Sequence, residues 1–388
     1  MIDPREPYLL LVEATPEVGG RFTGLQRLGA RGAGGQFSLL FSASDSATGK
    51  RVAIKVFDPT QMDSYRIACF EREAQLLQEF SGQPDIITQV APYGRFVTHT
   101  TGPGGIHIPM PFQYYAMELA RESVEDAVIR DAWGPEQLLR AFRAMCRAMQ
   151  RIHVRNIVHR DLKPGNFLIK HGGTVCLSDF GAARRLGEAD LALPQTYSYP
   201  VGDMRYCAPE LLVGLHDVHP LIQFRADIYS LGAILFELFS GVPLSQVAVN
   251  LTTINDLREH LRAIRSKDRL RIYQNILGSL AAANALPSVA DGGVAVPTVL
   301  RDRIDRLYRG LAAWDYRRRP YTGIQDLGRV VPGGSLAGSG PLSPQAWSTI
   351  FNNIDATILV YTNERTRVRR LGMRTRRQRT AREGGDKP

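Results

Sequence analysis

The pattern of apolar and polar residues divides the chain into a strand-rich beginning and a helix-rich remainder. Residues 22–57 alternate between apolar and polar positions, with glycine-rich turns between the runs. Because successive side chains of a strand point to opposite faces, this alternation predicts three strands. The stretch RLGARGAGGQFSLLF supplies the turn between the first two, and KRVAIKVF is the third. From Asp63 to Phe80 the spacing becomes helical, which places Phe70 and Leu77 on one face.

Beyond this helix the pattern predicts two more strands and then mostly helices. The strands lie around 87–98 and 112–119 and flank a loop rich in glycine and proline. Helical spacing dominates from 122 to 155 and again from 206 to 330, with short strands around 166–177. Strands first and helices afterwards indicate an α+β fold with a small sheet lobe and a larger helical lobe. The remaining segments are an N-terminal stretch at 1–21, a linker rich in Gly, Pro and Ser at 331–345, and a C-terminal extension at 346–388.

Composition narrows the class of protein. The chain has 388 residues, 44% of them hydrophobic and 22% charged, which is typical of a folded globular protein. No apolar run approaches the roughly 20 residues that a membrane-spanning helix needs. The N-terminus mixes acids and a proline, unlike a secretory signal. The four cysteines of the chain are scattered singly, which indicates a reducing compartment. We therefore expect a cytoplasmic protein.

The net charge of +10 is concentrated in the tail. Residues 364–388 hold nine Arg and one Lys against two Glu and one Asp, a net charge of +7, which leaves +3 for the rest. Such a tail could contact nucleic acid, an anionic membrane or an acidic protein. Aromatic residues are not interleaved with the arginines, so base stacking is not expected. A disordered, solubilising extension is the alternative.

Residues 157–166 read IVHRDLKPGN, a run of charged and amide side chains between an apolar helix and an apolar strand. The run is accompanied, in order, by a glycine-rich loop, Lys55 in VAIK, Glu73, DFG at 179–181 and APE at 208–210. Together these motifs closely resemble the eukaryotic-type, or Hanks-type, serine/threonine protein kinase family. The resemblance covers 22–330 and implies a bilobal fold, with an N-lobe at 22–119 and a C-lobe at 120–330. High Arg and low Lys content is similar to that of soluble bacterial members.

The resemblance implies ATP and Mg²⁺ as cofactors. Phosphoryl transfer depends on positioning two anionic groups and neutralising their charge. Lys55 would pair with the α- and β-phosphates, and Glu73 would hold that lysine. Asn166 and Asp179 would bind magnesium. The residues that the resemblance assigns to ATP binding are Gly29, Gly32, Gly35, Phe37, Ala53, Lys55, Met117, Glu118, Leu119, Ala120 and Leu168.

The same resemblance assigns the remaining catalytic roles to the 157–166 run. Asp161 would accept or orient the proton of the substrate hydroxyl, and Lys163 would neutralise the transferring phosphate. A lysine at this position matches the serine/threonine branch of the family. The family also stacks an apolar column, which Leu77, His159 and Phe180 match.

An ion pair that ties the APE motif to the late helices is a further feature of the family. Glu210 and Arg319 match that pair.

Two departures from the family pattern concern activity. Ala30 stands where the first glycine of the loop is usual, so Gly29 serves only if the loop has one extra residue. Asp203 replaces a common threonine and could pair with Lys163, or raise the pKa of a carboxylate beside it.

Regulation is predicted in the loop between DFG and APE. Arg160, before the catalytic aspartate, matches family members that are controlled by phosphorylation there. Thr196, Tyr197, Ser198 and Tyr199 are the candidate acceptors, by autophosphorylation. A polar loop that needs no switch is the alternative.

These observations predict an ATP- and Mg²⁺-dependent kinase that acts on Ser/Thr hydroxyls of protein substrates. One alternative is a pseudokinase, a scaffold module that binds partners without phosphoryl transfer, to which Asp203 and the irregular glycine loop would point. Another is a kinase for small molecules, although the APE segment and the long loop before it favour a protein substrate.

Overall fold

The computed structural model describes residues 3–29, 38–101, 105–187, 202–215, 220–319 and 342–383. Its contacts divide the chain into two compact units. The first, the sheet unit, comprises Met1–Ala127 and Arg147–Gly202. The second, the helical unit, comprises Val128–Cys146 and Asp203–Pro388. The predicted α+β character is confirmed, because antiparallel sheet dominates the first unit and helices the second.

A six-stranded antiparallel sheet forms the frame of the sheet unit, in the order β1-β2-β3-β4-β6-β5. The central strand β4 is buried except at its first residue, as expected for the apolar run VAIKVF between two neighbours. The strands are β1 (Glu17–Val18), β2 (Phe22–Arg27), β3 (Ser38–Asp45), β4 (Arg51–Phe57), β5 (Gln89–Thr101) and β6 (His107–Glu118).

The long hairpin of β5 and β6 extends beyond its predicted limits. The first strand was predicted to end at 98 and the second to begin at 112. In the structure the pairing between them continues to Thr101 and His107. Threonines and other β-branched residues near the end of the hairpin favour extended backbone. Pro109, expected in the loop, therefore lies in β6, where it pairs with His99.

An N-terminal helix, α1 (Glu6–Glu13), packs on the same sheet. Leu9 and Val12 are buried in the core that the sheet strands form. Arg27 of β2 makes ion pairs with Glu6 and Glu13 at the two ends of α1. The sequence left this segment unassigned because eight residues contain only two helical turns of pattern.

The predicted helix at 63–80 is observed as α2 (Ser64–Glu79). Asp63 caps its N-terminus, since its carboxylate accepts a hydrogen bond from the Arg66 amide at 2.8 Å. Two small sheets complete the unit, in the orders β10-β9-β7 and β11-β8. Their strands are β7 (Glu122–Ser123), β8 (Ile157–Val158), β9 (Phe167–Ile169), β10 (Val175–Leu177) and β11 (Arg184–Arg185).

Helix α6 is the centre of the helical unit. Nearly all of its described side chains are buried, and α10 packs along it. Gly232 permits this approach, because an added Cβ would lie 2.6 Å from the Ala312 amide nitrogen. Among the residues that the structure describes, no helix is both long enough and apolar enough to span a membrane. The remaining helices of the chain are α3 (Val124–Asp131), α4 (Pro135–His153), α5 (Pro209–Leu212), α6 (Pro220–Ser240), α7 (Leu244–Ala248), α8 (Leu251–Arg262), α9 (Ser266–Ala283), α10 (Thr298–Leu311) and α11 (Pro344–Glu383).

Candidate active site

The sheet unit brings Lys55, Glu73 and Asp179 into one ion cluster. Lys55 Nζ lies 2.8 Å from Glu73 Oε1, 3.0 Å from Glu73 Oε2 and 2.9 Å from Asp179 Oδ1. Strand β4 carries the lysine and helix α2 carries the glutamate, so two rigid elements fix the pair. The predicted ion pair between Lys55 and Glu73 is present, and Asp179 joins it.

Exposure differs sharply across this cluster. The side chain of Glu73 is only 2% exposed and that of Lys55 is 8% exposed, whereas the side chain of Asp179 is 26% exposed. Two carboxylates face one ammonium group, so the cluster carries a net negative charge when all three are ionised. Its solvent-facing member is the residue predicted to bind metal.

The electrostatics of the cluster keep Lys55 and Asp179 ionised. Burial by itself would lower the pKa of Lys55, but the carboxylates of Asp179 and Glu73 outweigh it and hold that pKa well above its usual value. Burial raises the pKa of Glu73, and the attraction of Lys55 only partly offsets this. Burial also opposes ionisation of Asp179, yet the adjacent ammonium group of Lys55 brings the pKa of Asp179 far below its usual range.

The DFG segment is held in an uncommon backbone conformation. Asp179 has φ 57° and ψ 69°, in the left-handed region that residues with a Cβ rarely adopt. Phe180 follows and is fully buried, with its ring centroid 5.9 Å from that of Phe80 and 5.3 Å from that of His159. Leu77 is also fully buried. Two members of the predicted column, His159 and Phe180, are thus in contact within the sheet unit, and Phe80 joins them.

The catalytic loop brings Asp161, Lys163 and Asn166 together. Lys163 Nζ lies 3.2 Å from Asp161 Oδ2. Asn166 Nδ2 donates to the Asp161 carbonyl oxygen at 2.6 Å and to Asp161 Oδ2 at 3.2 Å. The Asp161 carboxylate therefore has two donors beside it and remains partly exposed, at 14%.

Backbone hydrogen bonds join the catalytic loop to the residues around DFG. Ser178 donates from its amide and from its hydroxyl to the Asn166 carbonyl oxygen, both at 2.9 Å. His159, fully buried, donates from Nε2 to the Ser178 carbonyl oxygen at 3.1 Å. Arg160, another residue with positive φ (67°), donates from Nε to the Ala182 carbonyl oxygen at 2.7 Å. These links fix the loop and the DFG segment to each other.

The residues predicted to bind magnesium suit a hard cation. Asp179 Oδ1 is occupied by Lys55, whereas Oδ2 has no hydrogen-bond partner among the described residues. Asn166 uses its amide nitrogen toward Asp161, which leaves its carbonyl oxygen as the ligand atom. Carboxylate and amide oxygens are the ligands that Mg²⁺ prefers. The donor set therefore fits the ion that the resemblance implies.

Residues assigned to adenine binding come from neighbouring strands. Ala53 on β4 and Met117 on β6 are cross-strand partners, and both are buried. Leu168 on β9 is half-buried, as are the residues that follow Met117, namely Glu118, Leu119 and Ala120. Gly29 adopts φ 81°, which glycine accommodates without strain. The predicted Gly32, Gly35 and Phe37 lie outside the described residues.

A clamp behind the Glu118–Ala120 segment was not predicted. Lys170 Nζ lies 3.0 Å from Glu118 Oε2 and 3.2 Å from Thr88 Oγ1. The Glu118 amide also donates to the Thr88 carbonyl oxygen at 2.8 Å. In sequence the only signal was the rarity of lysine, since Lys170 is one of six in the chain.

Gly202 is a second residue that the motifs did not reveal. It adopts φ 99°, and an added Cβ would overlap the carbonyl oxygen of Arg160 in the catalytic loop. Asp203, the next residue, forms an ion pair with Arg205 at 2.8 Å in the helical unit. The predicted phosphorylation sites Thr196, Tyr197, Ser198 and Tyr199 lie outside the described residues.

Comparison with known proteins agrees with this geometry. A family model described as the protein kinase domain matches residues 25–321, more than three quarters of the chain. A probable serine/threonine-protein kinase of Corynebacterium efficiens is 33% identical over 220 residues, which cover 56% of this chain and 31% of that protein. The serine/threonine-protein kinase PknA of Mycobacterium tuberculosis is 31% identical over 233 residues, covering 58% and 49%. A probable serine/threonine-protein kinase PknB of Lactococcus lactis is 32% identical over 209 residues, covering 53% and 30%. The chain thus spans half or less of the length of these relatives.

Proposed function

Because this chain belongs to the protein kinase family, in its Hanks-type serine/threonine branch, we propose that it transfers the γ-phosphoryl group of ATP to Ser or Thr hydroxyls of protein substrates, with Mg²⁺ as cofactor. The observation that carries the proposal is the cluster of Lys55, Glu73 and Asp179. Its fixed ammonium group and its partly exposed carboxylate can serve phosphates and a cation together.

The residues of the chain divide the work of the reaction. Lys55, held by Glu73, neutralises the phosphates that remain with the nucleotide. Asp161 accepts the proton of the acceptor hydroxyl as the new P–O bond forms and the bond to the leaving oxygen breaks. Lys163 neutralises charge on the transferring group, and its position beside Asp161 supports this role.

Asp179 Oδ2 and the carbonyl oxygen of Asn166 would hold magnesium. When bound, the ion would supply positive charge that offsets the negative charge of the phosphates. The hydrogen bonds that join Ser178, Asn166 and Asp161 keep the two ligand residues at a constant separation before any ligand arrives. That preorganisation lowers the cost of assembling the site.

The sequence motifs favour one class of phosphate acceptor over the alternatives. Lys163 favours Ser/Thr, and the APE segment at 208–210 favours a protein over a small molecule. Intact Lys55, Asp161, Asn166 and Asp179 speak against a pseudokinase.

Autophosphorylation between DFG and APE remains part of the proposal, as does a cytoplasmic location. The four cysteines form no disulfide bond, which supports a reducing compartment.

The test is the intact mass of the purified chain after incubation with ATP and Mg²⁺, beside an Asp179→Asn variant. We expect mass increments of one phosphate in the wild type alone, with phosphoserine or phosphothreonine after peptide mapping. Addition of EDTA should abolish the increments. A wild type that gains no phosphate, and phosphorylates no added protein while it still binds ATP, would instead make the chain a pseudokinase.

A further inference from the structure

The C-terminal helix α11 has a first half that is anchored in the core and a second half whose described side chains are mostly exposed. In the anchored half Trp347, Ile350 and Ile354 are buried, and α10 packs against the helix. Asp355 accepts two hydrogen bonds from the Arg143 guanidinium, at 2.6 and 2.9 Å, and that guanidinium lies 5.2 Å from the centre of the Phe351 ring. This half is a fixed part of the helical unit.

The second half, residues 362–383, is called the basic arm below. Its apolar side chains are exposed as far as they are described: Val368 is 57% exposed, and Leu371 and Met373 are each 51% exposed. Arg369 and Arg370 are also exposed. Among the described side chains, the buried ones thus lie in the anchored half, although the helix continues to Glu383. Arg365, near the start of the arm, still lies within ion-pair distance of the helical unit, with its Nη1 3.9 Å from Glu136 Oε2 of α4.

Arginine positions encircle the basic arm. At about 100° per residue, its nine arginines leave no sector of the helix wider than about 80° without one. Apolar positions in the same segment do not gather on one side. The arm is therefore a cationic cylinder rather than an amphipathic helix, with a net charge of +7 for residues 364–383, from nine Arg and two Glu. The arginine positions are 365, 367, 369, 370, 374, 376, 377, 379 and 382.

We infer that the basic arm binds double-stranded DNA by lying in the major groove. Arginines around the whole helix suit a binding site that has phosphates on both sides of the helix. The major groove of DNA provides such a site, because a phosphate backbone runs along each of its edges. The arm is about 30 Å long and about 10–12 Å across, and the major groove of B-DNA is about 12 Å wide. Arginine is also the side chain best suited to paired contacts with phosphate oxygens.

Other polyanions fit the same charge distribution less well. A helix that lies on a membrane needs its apolar residues on one face, and the arm lacks such a face. An acidic protein surface would contact one side and leave the remaining arginines unpaired. A-form RNA has a deep, narrow major groove that does not admit the arm, and single strands are bound mainly through aromatic stacking. The inference is independent of the proposed kinase function.

The test is fluorescence anisotropy of a labelled DNA duplex of about 25 base pairs, titrated with the full chain at several salt concentrations. We expect the logarithm of the association constant to fall linearly with the logarithm of salt, with a slope of about −4 to −7. Replacing Arg369, Arg370, Arg374 and Arg377 by Gln should make the slope shallower by about 3 to 4. Affinity at 0.1 M salt should fall at least about 100-fold.

Two matched variants separate the arm from net charge. Replacing Arg262, Arg271, Arg303 and Arg306 by Gln removes the same charge from exposed positions of α8, α9 and α10, and should leave the affinity within about threefold. Replacing the four arm arginines by Lys keeps the charge and should retain most of the binding. Unchanged melting temperatures would show that all three variants are folded.

Several results would overturn the inference. Equal loss of affinity in the two Gln variants would assign binding to overall charge. Tighter binding to single-stranded DNA or duplex RNA of the same length, to polyglutamate or to phosphatidylserine vesicles would replace duplex DNA by that ligand class. No measurable binding at low salt would exclude a DNA-binding role for the arm.

Discussion

The protein has two largely buried clusters of charged side chains, and they differ in what they can do. In the helical unit, Glu210 and Arg319 pair with side chains that are both fully buried. Arg319 donates to both carboxylate oxygens of Glu210 and to the carbonyl oxygens of Ala313 and Arg225. In the sheet unit, Lys55 faces two carboxylates, one of which is partly exposed.

The difference is one of charge balance and of unused hydrogen-bonding capacity. The Glu210–Arg319 pair is neutral, and its guanidinium also stacks 4.9 Å from the centre of the Tyr229 ring, so its hydrogen-bonding and charge are compensated within the protein. The cluster at Lys55 keeps an excess negative charge, and Asp179 Oδ2 has no hydrogen-bond partner in the part of the chain that the structure describes. A buried pair that is fully compensated serves the fold, whereas one that is left incomplete can receive a ligand.

Replacing both members of each pair by apolar residues should separate these roles most clearly. Lys55→Met with Glu73→Leu should reduce phosphotransfer at least about 1,000-fold, because the phosphates that remain with the nucleotide lose their lysine, while the melting temperature changes little. Arg319→Met with Glu210→Leu should retain activity per folded molecule within about threefold, although the carbonyls of Ala313 and Arg225 lose a donor at a cost of about 1–3 kcal/mol.

Initial rates and thermal denaturation of the two double variants provide the comparison. Loss of activity in a stable, folded Glu210/Arg319 double variant would show that this pair is more than structural. Retained activity in the Lys55/Glu73 double variant would remove the basis of the proposed mechanism.

Breaking the closed pair by a single substitution should cost the most stability. Arg319→Met leaves the buried Glu210 carboxylate without its counter-ion, and we expect about 3–5 kcal/mol of destabilisation. Lys55→Met should cost less, because Asp179 is partly exposed and can be hydrated. Urea denaturation of both variants measures this ranking, and a larger loss for Lys55→Met would reverse it.

The stability of Lys55→Met should depend on pH. In the wild type Lys55 stays charged up to its ordinary pKa of 10.5 and beyond, and Asp179 stays charged down to 3.8 and below. Burial raises the pKa of Glu73, and the substitution removes the attraction that opposes this rise. Raised folded-state pKa values of carboxylates favour the folded state at low pH, so the loss of stability should grow as pH rises. Between pH 5.5 and 8 we expect growth of about 1 kcal/mol, measured by urea denaturation; a constant loss would contradict it.

Substitution of Lys170 should have the smallest effect on activity and stability. The ion pair that it forms with Glu118 is partly exposed, since the two side chains are 14% and 35% exposed. Lys170→Met should raise KM for ATP by about threefold, because the Glu118–Ala120 segment loses one of its supports, and should cost less than about 1 kcal/mol of stability. Lys267→Met, at an exposed position of α9, is the control. Steady-state kinetics would count against this role of Lys170 if both variants had the same KM.

The motifs located most of the candidate site because their chemistry is tied to short spacing. Asp161, Lys163 and Asn166 lie within one loop, so their proximity follows from the chain itself. Lys55 and Glu73 lie far apart in sequence, and only the resemblance to a family predicted their pairing. The clamp at Lys170 escaped prediction because the contacts of that lysine reach Thr88, 82 residues away.

Local pattern also failed where packing decides the outcome. Helix α1 is too short to show its period, and it forms against the core that the sheet provides. The sequence left the tail open between a binding segment and a disordered extension. The structure continues α11 into the tail as far as Glu383, from an anchor at Trp347 and its neighbours.

By itself the sequence determined a strand-rich part followed by a helix-rich part, the chemistry of the catalytic loop and the charge of the tail, because each depends on residue types at short spacing. The tertiary structure decided which carboxylate of the Lys55 cluster remains accessible, how Gly202 meets the catalytic loop, and that the Glu210–Arg319 pair is closed. These features depend on burial and on long-range contacts. The spacing of residues in the sequence does not predict such features, because the same residues could be hydrated or buried according to what packs around them.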